Sequence, residues 1–552
     1  MRIKYIVIIF FLILSSRCFA QQSSGTYPES FYVPYFDIKD IKTVNIVPPD
    51  VESLIYHDMQ RAEYYKQSRC GVKIPLHLNF FDVAQKIDIN NSSVYVLKIV
   101  CPYAHAMNIY SDNFYIPKGG QLYIWNPDKT KCIGAFTFAN NTDEGYFATD
   151  YVTGDTLILE YYPNESNTSQ TKIDIESIGY FYKDIEFTQE YYKSGFNGSD
   201  KCEVDVNCSE GKNYATVKRS VTRILMPMNE NDLGWCTGTL LNNTNNDFTP
   251  YIITAAHCIE TLSSKKYYSQ FIFYFNYEKS GCSDYSEKQP SYNTLTGASL
   301  LSYDISFGNN GSDYLFLQLK DTIPASYNAY WSGWSISESG INKGVCIHHP
   351  AGDVKKISTF ATALQERSYR RNMWRDSTHW IAKWKKTAHG FGVTEGGSSG
   401  CGLFDSKGYY IGTLSGGYSS CETEDDYKYD WFGKFYVTYR DIQSWLNPLK
   451  KEISQLNGTE IITGLQNYDK PSSFYTNIYP NPADNIIYID LPLLYDNITL
   501  SLSDINGNIV YNKELYGVSD KITEDISALK SGIYIMTIKT KEFTSSKKLI
   551  IR

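Results

Sequence analysis

The segment GGSSGCG, residues 396–402, sets glycines on both sides of Ser398 and Ser399, in what its composition makes a tight turn. Glycine at such a turn lets the backbone come close to a substrate. A nucleophilic serine needs this, because the oxyanion of a tetrahedral intermediate must be met by backbone N–H groups, here those of Gly397 and Ser399. Gly/Ser turns are also common as plain connections, so the segment alone admits a structural reading as readily as a catalytic one.

Upstream, ITAAHC at 253–258 puts His257 just after an apolar strand, beside small residues that leave room around an imidazole. A general base needs that access, whereas a lone histidine is an ordinary core residue. Cys236 and Cys258 flank this strand pair as a disulfide would. Between the two motifs, SDYLFLQL at 312–319 places Asp313 at the head of an apolar strand. A buried carboxylate there can hold a base in the right tautomer and stabilise its imidazolium, although an isolated Asp at a strand start is also a common turn residue.

In chain order, His257, Asp313 and Ser399, with TAAHC before and GSSG after, resemble the chymotrypsin-like serine proteases. CEVDVNC at 202–208, IHHPAGDVKKIS at 347–358, GVTEGGSSG at 392–400 and LSGGYSSC at 414–421 are similar, more closely, to the bacterial lysyl endopeptidases. The resemblance implies an all-β chain with a trypsin-like double β-barrel over 196–450, acting on proteins or peptides without a cofactor. His257 is then the general base, Asp313 its orienter and Ser399 the nucleophile. The resemblance also implies the disulfides Cys202–Cys421, Cys208–Cys282 and Cys236–Cys258. Of the cysteines left over, Cys70, Cys101, Cys132, Cys346 and Cys401, the last could bridge Cys346.

A cationic substrate side chain needs a buried carboxylate to offset its desolvation. Trypsin-type enzymes carry that Asp six residues before the nucleophile, and Val393 stands there in this chain. In lysyl endopeptidases the carboxylate comes from a later strand, and the matching residue is Asp430 in YDWFGKF; the resemblance also assigns Gly417 to substrate binding. From local sequence alone Asp430 reads as one more surface acid beside Glu422, Glu424, Asp425 and Asp426. Trp334 in WSGW matches the family's pocket-side Trp, while Ser415 replaces the histidine that partners it there. Ser398 stands where an Asp usually pairs with a new N-terminus, so ion-pair activation is not expected.

Other regions follow the same logic. MRIKYIVIIFFLILSSRCFA, residues 1–20, has a basic start, an apolar run and a small residue at its end, the pattern of a secretory signal peptide. Strand-like runs over 21–195 resemble the β-sandwich propeptides of secreted proteases, with a carbohydrate-binding sandwich as the alternative. Lys193 and Lys201 offer a Lys-directed enzyme sites near that junction. A polar stretch over 451–470 reads as a linker. Residues 471–552 carry IYPNPADNIIYIDL, LSDINGNIVYN, LKSGIYIMTIKT and KKLIIR, which resemble the C-terminal sorting domains of Bacteroidetes type IX secretion. That implies an Ig-like β-sandwich read by the secretion machinery, and export to the medium or the cell surface.

Composition agrees with this. At roughly 150 residues per domain, 552 residues suggest three or four domains. The 48 Tyr and 27 Phe favour strands, whose pleated surface packs aromatic side chains well. A net charge of -8 leaves no global basic field for nucleic acid or anionic lipid. No later segment is long and apolar enough to span a bilayer, and no His/Cys spacing matches a zinc site. The competing functional class is a catalytically silent adhesion or binding protein that kept the protease fold.

Overall fold

The computed structural model describes residues 26–33, 36–62, 68–89, 92–164, 170–183, 194–259, 265–282, 289–305, 311–338, 340–367, 378–461, 477–490, 495–504, 507–518, 521–539 and 544–552. The expected signal peptide and Lys193 lie outside them. The chain is mostly β and divides into two compact units, Met1–Thr463 and Gly464–Arg552.

The first unit begins with two sheets packed on one core. Strands Ser92–Val100 and Thr156–Tyr162 pair antiparallel, with Val100 opposite Thr156 and Tyr95 opposite Tyr161. Their Leu97, Ile99, Leu157 and Leu159 share a core with Ile109, Ile173 and Ile175 of strands Ala106–Tyr115 and Lys172–Phe181. Alternating β-branched and aromatic residues supply the inward faces, as a half-buried strand requires.

The boundary expected near 195 is not a gap between compact bodies. Strand Ser68–Asn79 pairs with Lys172–Phe181 on one side and with Asp232–Leu241 on the other, joining both regions in one sheet. Arg69 reinforces the seam by donating to Asp58 at 2.8 Å and Asp232 at 2.9 Å. Across it, Cys70, Tyr110, Tyr151 and Phe181 share a buried cluster with Leu225, Leu233, Trp235 and Tyr274. Such long-range pairing leaves no trace in local periodicity, so strand patterning alone gave no sign of it.

Past that seam lie two barrel-like sheets. The first continues through Val221–Pro227, Asp232–Leu241, Tyr251–Thr254 and Tyr314–Leu319. The second runs through Lys356–Phe360, Gly344–His348, Gly402–Asp405, Tyr410–Gly417, Tyr429–Lys434 and His379–Lys383. A helix, Phe435–Leu446, buries Phe435, Thr438, Tyr439, Ile442 and Leu446, a stripe at helical spacing, and ends before Pro448. The linker expected over 451–470 starts too early. Gln455–Leu456 pairs with Trp334–Ser335, Thr459–Glu460 pairs with Tyr330–Trp331, and Glu460 accepts from Arg219 at 2.6 Å. Backbone pairing together with the Glu460 and Asn457 side chains holds those polar residues to the first unit.

The second unit stacks a three-stranded and a four-stranded sheet over Ile487, Ile489, Leu500, Leu502, Met536, Ile538 and Leu549. Tyr495–Ser503 and Ile509–Val518 pair antiparallel, and Gly507, between them, takes a φ of 86°. Among the described residues no helix is long and apolar enough to cross a membrane.

Candidate active site

Strands Tyr251–Thr254 and Tyr314–Leu319 pair with Thr254 opposite Leu315, so the residues just beyond that end, His257 and Asp313, meet. His257 sits in the turn Ala256–Cys258, and its backbone N–H donates to Asp313 Oδ1 at 3.0 Å. Its Nδ1 lies 2.6 Å from Asp313 Oδ2, and its Nε2 lies 2.8 Å from Ser399 Oγ. Asp313 can only accept, so Nδ1 carries the proton and Nε2 is left to accept from the serine hydroxyl. Asp313 is buried at a φ of +53°, a region that costs about 1–3 kcal/mol for most side chains and that Asp tolerates better than most.

The serine turn is clamped between the two sheets by Thr237, whose N–H donates to Ser399 O and whose hydroxyl donates to Gly397 O, each at 2.9 Å. Gly400 is required here, because a Cβ would stand 2.1 Å from Thr254 Oγ1. Gly397 takes a φ of +94°, and a Cβ on it would meet Gly352 N at 2.8 Å. Among the described residues no acceptor takes the N–H of Gly397 or Ser399, which leaves both free for an oxyanion. Behind the turn, Arg223 is stacked among Trp235, Tyr274 and Tyr277 and donates to Gly352 O at 2.8 Å. Thr237 and Arg223 were not found from sequence, since nothing local distinguishes them from other strand residues.

Ser398 faces a different way from Ser399. Its Oγ lies 2.8 Å from His348 Nδ1 and accepts from Glu395 N at 3.1 Å. Beneath it the buried carboxyls of Glu203 and Glu395 adjoin. Burial, and then the neighbouring Glu395 carboxyl, hold Glu203 well above the usual range; burial and the charge of Asp200 push Glu395 to about 7. A carboxyl whose folded pKa exceeds its unfolded value of about 4.3 contributes fully below that value, and stability falls as pH rises toward 7. Glu203→Gln, neutral throughout, is therefore expected to raise Tm at pH 8 by about 3 °C or more and to leave it near wild type at pH 4. Thermal scans at the two pH values check this, and identical curves at pH 8 would refute the raised Glu203 carboxyl.

Asp430 lies in Tyr429–Lys434, fully buried and apart from the exposed Glu422, Glu424 and Asp425. Its Oδ2 accepts from Trp384 Nε1 at 2.6 Å, Thr394 Oγ1 at 2.8 Å and Ser419 Oγ at 2.5 Å. Its Oδ1 accepts from Ser419 N at 3.3 Å, and a Cβ on Gly417 would stand 1.8 Å from that oxygen. Only glycine fits at 417 beside that oxygen. Val393 is buried, with its carbonyl bonded to Ser358.

Trp334 is a correction. It pairs with Tyr410 at one end of Tyr410–Gly417, whereas Asp430 pairs with Gly417 at the other, about 20 Å away at strand spacing. Trp334 is a core residue instead, stacked on Tyr439 and donating to Asn242 O. The tryptophan that touches Asp430 is Trp384, just past strand His379–Lys383, whose pairing the sequence did not reveal. Ser415 contacts His379, with Oγ 3.1 Å from Nε2.

The disulfides Cys202–Cys421, Cys208–Cys282 and Cys236–Cys258 are formed. The sulfurs of Cys346 and Cys401 face each other at 2.9 Å, both buried. Cys208, Cys282 and His389 converge, but the two sulfurs are bonded together and offer no thiolate to a metal.

Residues 196–433 match the family model for the lysyl endopeptidase C-terminal domain. Residues 477–552 match the secretion system C-terminal sorting domain, which marks the chain as secreted or attached to the cell surface. A lysyl endopeptidase of Pseudomonas aeruginosa is 30% identical over 308 residues, 54% of this chain and 62% of that protein. The chain thus spans less than two thirds of that relative's length. A solved HtrA-type protease with tripeptide is similar over 43% of this chain and 64% of its own, at 14% identity and a TM-score of 0.29, too distant a likeness to carry an argument.

Proposed function

We propose that the chain is a secreted serine endopeptidase that cleaves after Lys, with Arg as the secondary choice. The observation that carries this is the Asp313–His257–Ser399 line, 2.6 Å and 2.8 Å between successive polar atoms, ending beside two free amides. His257 Nε2 takes the Ser399 hydroxyl proton as Oγ attacks the substrate carbonyl. The Gly397 and Ser399 amides stabilise the oxyanion, and His257 then protonates the leaving amine. Water, deprotonated by His257, hydrolyses the acyl-enzyme. Asp313 fixes the tautomer and stabilises the imidazolium. Asp430, on the floor beside Gly417, meets the substrate ammonium.

In this reading residues 1–20 are a signal peptide, 21–195 a propeptide and 471–552 the sorting domain handled by type IX machinery. The shared sheet across residue 195 supports a propeptide that templates the catalytic fold. A catalytically silent adhesion protein would need no Nε2 poised on a hydroxyl.

The test is labelling with a fluorophosphonate reagent, followed by digestion of a denatured protein and mass-spectrometric mapping of its new C-termini. A single adduct on Ser399 and C-termini at Lys are expected. No adduct, or C-termini without a basic residue, would overturn the reading.

A further inference from the structure

Strand Tyr410–Gly417 slips register against Tyr429–Lys434 between Leu414 and Gly416, so Ser415 is the extra residue of a β-bulge. A bulge re-aims the side chain it carries. Here it aims Ser415 at an imidazole from two strands away. His379 opens strand His379–Lys383 and lies opposite Gly433, which in turn lies opposite Thr413. With no side chain at 433, the ring can cross that strand to reach Ser415 Oγ at 3.1 Å. Its other nitrogen, Nδ1, lies 2.9 Å from Thr378 Oγ1. Gly433 also abuts the residue before Asp313, since a Cβ there would stand 1.9 Å from Ser312 O. Burial pushes the His379 pKa down to about 4, against the opposing pull of Asp313, so the ring is a neutral strut between two hydroxyls.

What the strut holds is an open strand edge. Pairing of Tyr410–Gly417 with Gly402–Asp405 ends at Thr413 opposite Gly402, followed at Leu414 by two backbone bonds, Gly400 N donating to Leu414 O and Leu414 N donating to Cys401 O. From Ser415 to Gly417 one edge has no partner strand among the described residues. It starts beside Ser399 and ends at Gly417 against Asp430. An extended peptide added to that edge would bring a carbonyl to Ser399 and a side chain to Asp430.

We propose that His379 is a positioning residue that fixes the Ser415 bulge and thereby sets the strand edge on which an extended peptide substrate lies. This deepens the peptidase reading and rests on it. His379→Leu removes both hydrogen bonds, whereas His379→Gln keeps a group able to bond Ser415. With a peptide extending four residues before a Lys, His379→Leu is expected to lower kcat/KM about tenfold, chiefly through KM, the size a lost buried hydrogen bond predicts. His379→Gln should recover most of that loss. The rate of Ser399 phosphonylation by a small fluorophosphonate, which does not need the strand edge, should change far less than kcat/KM. Should His379→Leu fail to fold, Ser415→Ala removes the same bond from the other end and should raise KM likewise.

Unchanged peptide kinetics in His379→Leu would overturn the proposal. So would an equal fall in peptide hydrolysis and phosphonylation, which would mean that His379 acts through His257 or Asp313. Absence of both reactions in the unsubstituted chain would instead refute the peptidase reading, and this inference with it.

Discussion

Ser399→Ala is expected to abolish peptidase activity, with a loss of about 10⁴-fold or more in kcat, while Ser398→Ala keeps its turnover within about tenfold. The two serines are adjacent, yet their surroundings differ in kind. Ser399 Oγ is 2.8 Å from a nitrogen that Asp313 leaves able to accept a proton. Ser398 Oγ is enclosed with His348 and the Glu395 N–H, where it holds the turn together. Removing it takes a partner from the Glu395 N–H and from His348 Nδ1, so Ser398→Ala should lose about 1–3 kcal/mol of stability. Rates on a Lys-containing peptide and denaturation curves for both variants decide the matter. A dead Ser398→Ala beside an active Ser399→Ala would move the nucleophile by one residue.

How much of this was legible in sequence depended on how local each signal is. TAAHC and GGSSG owe their form to nearby constraints: room for an imidazole, and close approach of Gly400 to Thr254 and Ala255. Such constraints fix residue types in runs, and runs can be read. Asp430 was harder, because YDWFGK resembles any strand and its neighbours in sequence are exposed acids. What distinguishes it is the set Trp384, Thr394 and Ser419, from three separate segments. Trp334 was misplaced for the same reason: two tryptophans can serve a pocket equally well on paper, and only strand pairing separates them. The seam through Arg69 and Asp232 and the strut from His379 to Ser415 likewise depend on which strands lie side by side, and local patterning is silent on that.

The pocket makes the other large prediction. Asp430→Asn is expected to cut kcat/KM for cleavage after Lys by about 10²–10³-fold, while cleavage after uncharged residues changes by less than tenfold. A substrate ammonium leaving water needs a fixed carboxylate, and losing one partner of such a pair costs several kcal/mol, each 1.4 kcal/mol being tenfold. The substitution does more than remove charge. Three donors crowd Oδ2, so the Asn carbonyl oxygen must take that place, and the amide N–H groups then occupy the site of Oδ1 beside Gly417. They would point donors at a donor. Shape is nearly unchanged, which isolates the electrostatic contribution from packing. No second carboxylate can take over at position 393, where a buried Val stands. Cleavage maps of the wild type and the variant on one denatured protein measure the effect, with the Lys-to-Arg ratio read from the same spectra. Undiminished cleavage after Lys in Asp430→Asn would mean that the substrate cation is met elsewhere, and that the donors on Asp430 serve only to anchor its strand.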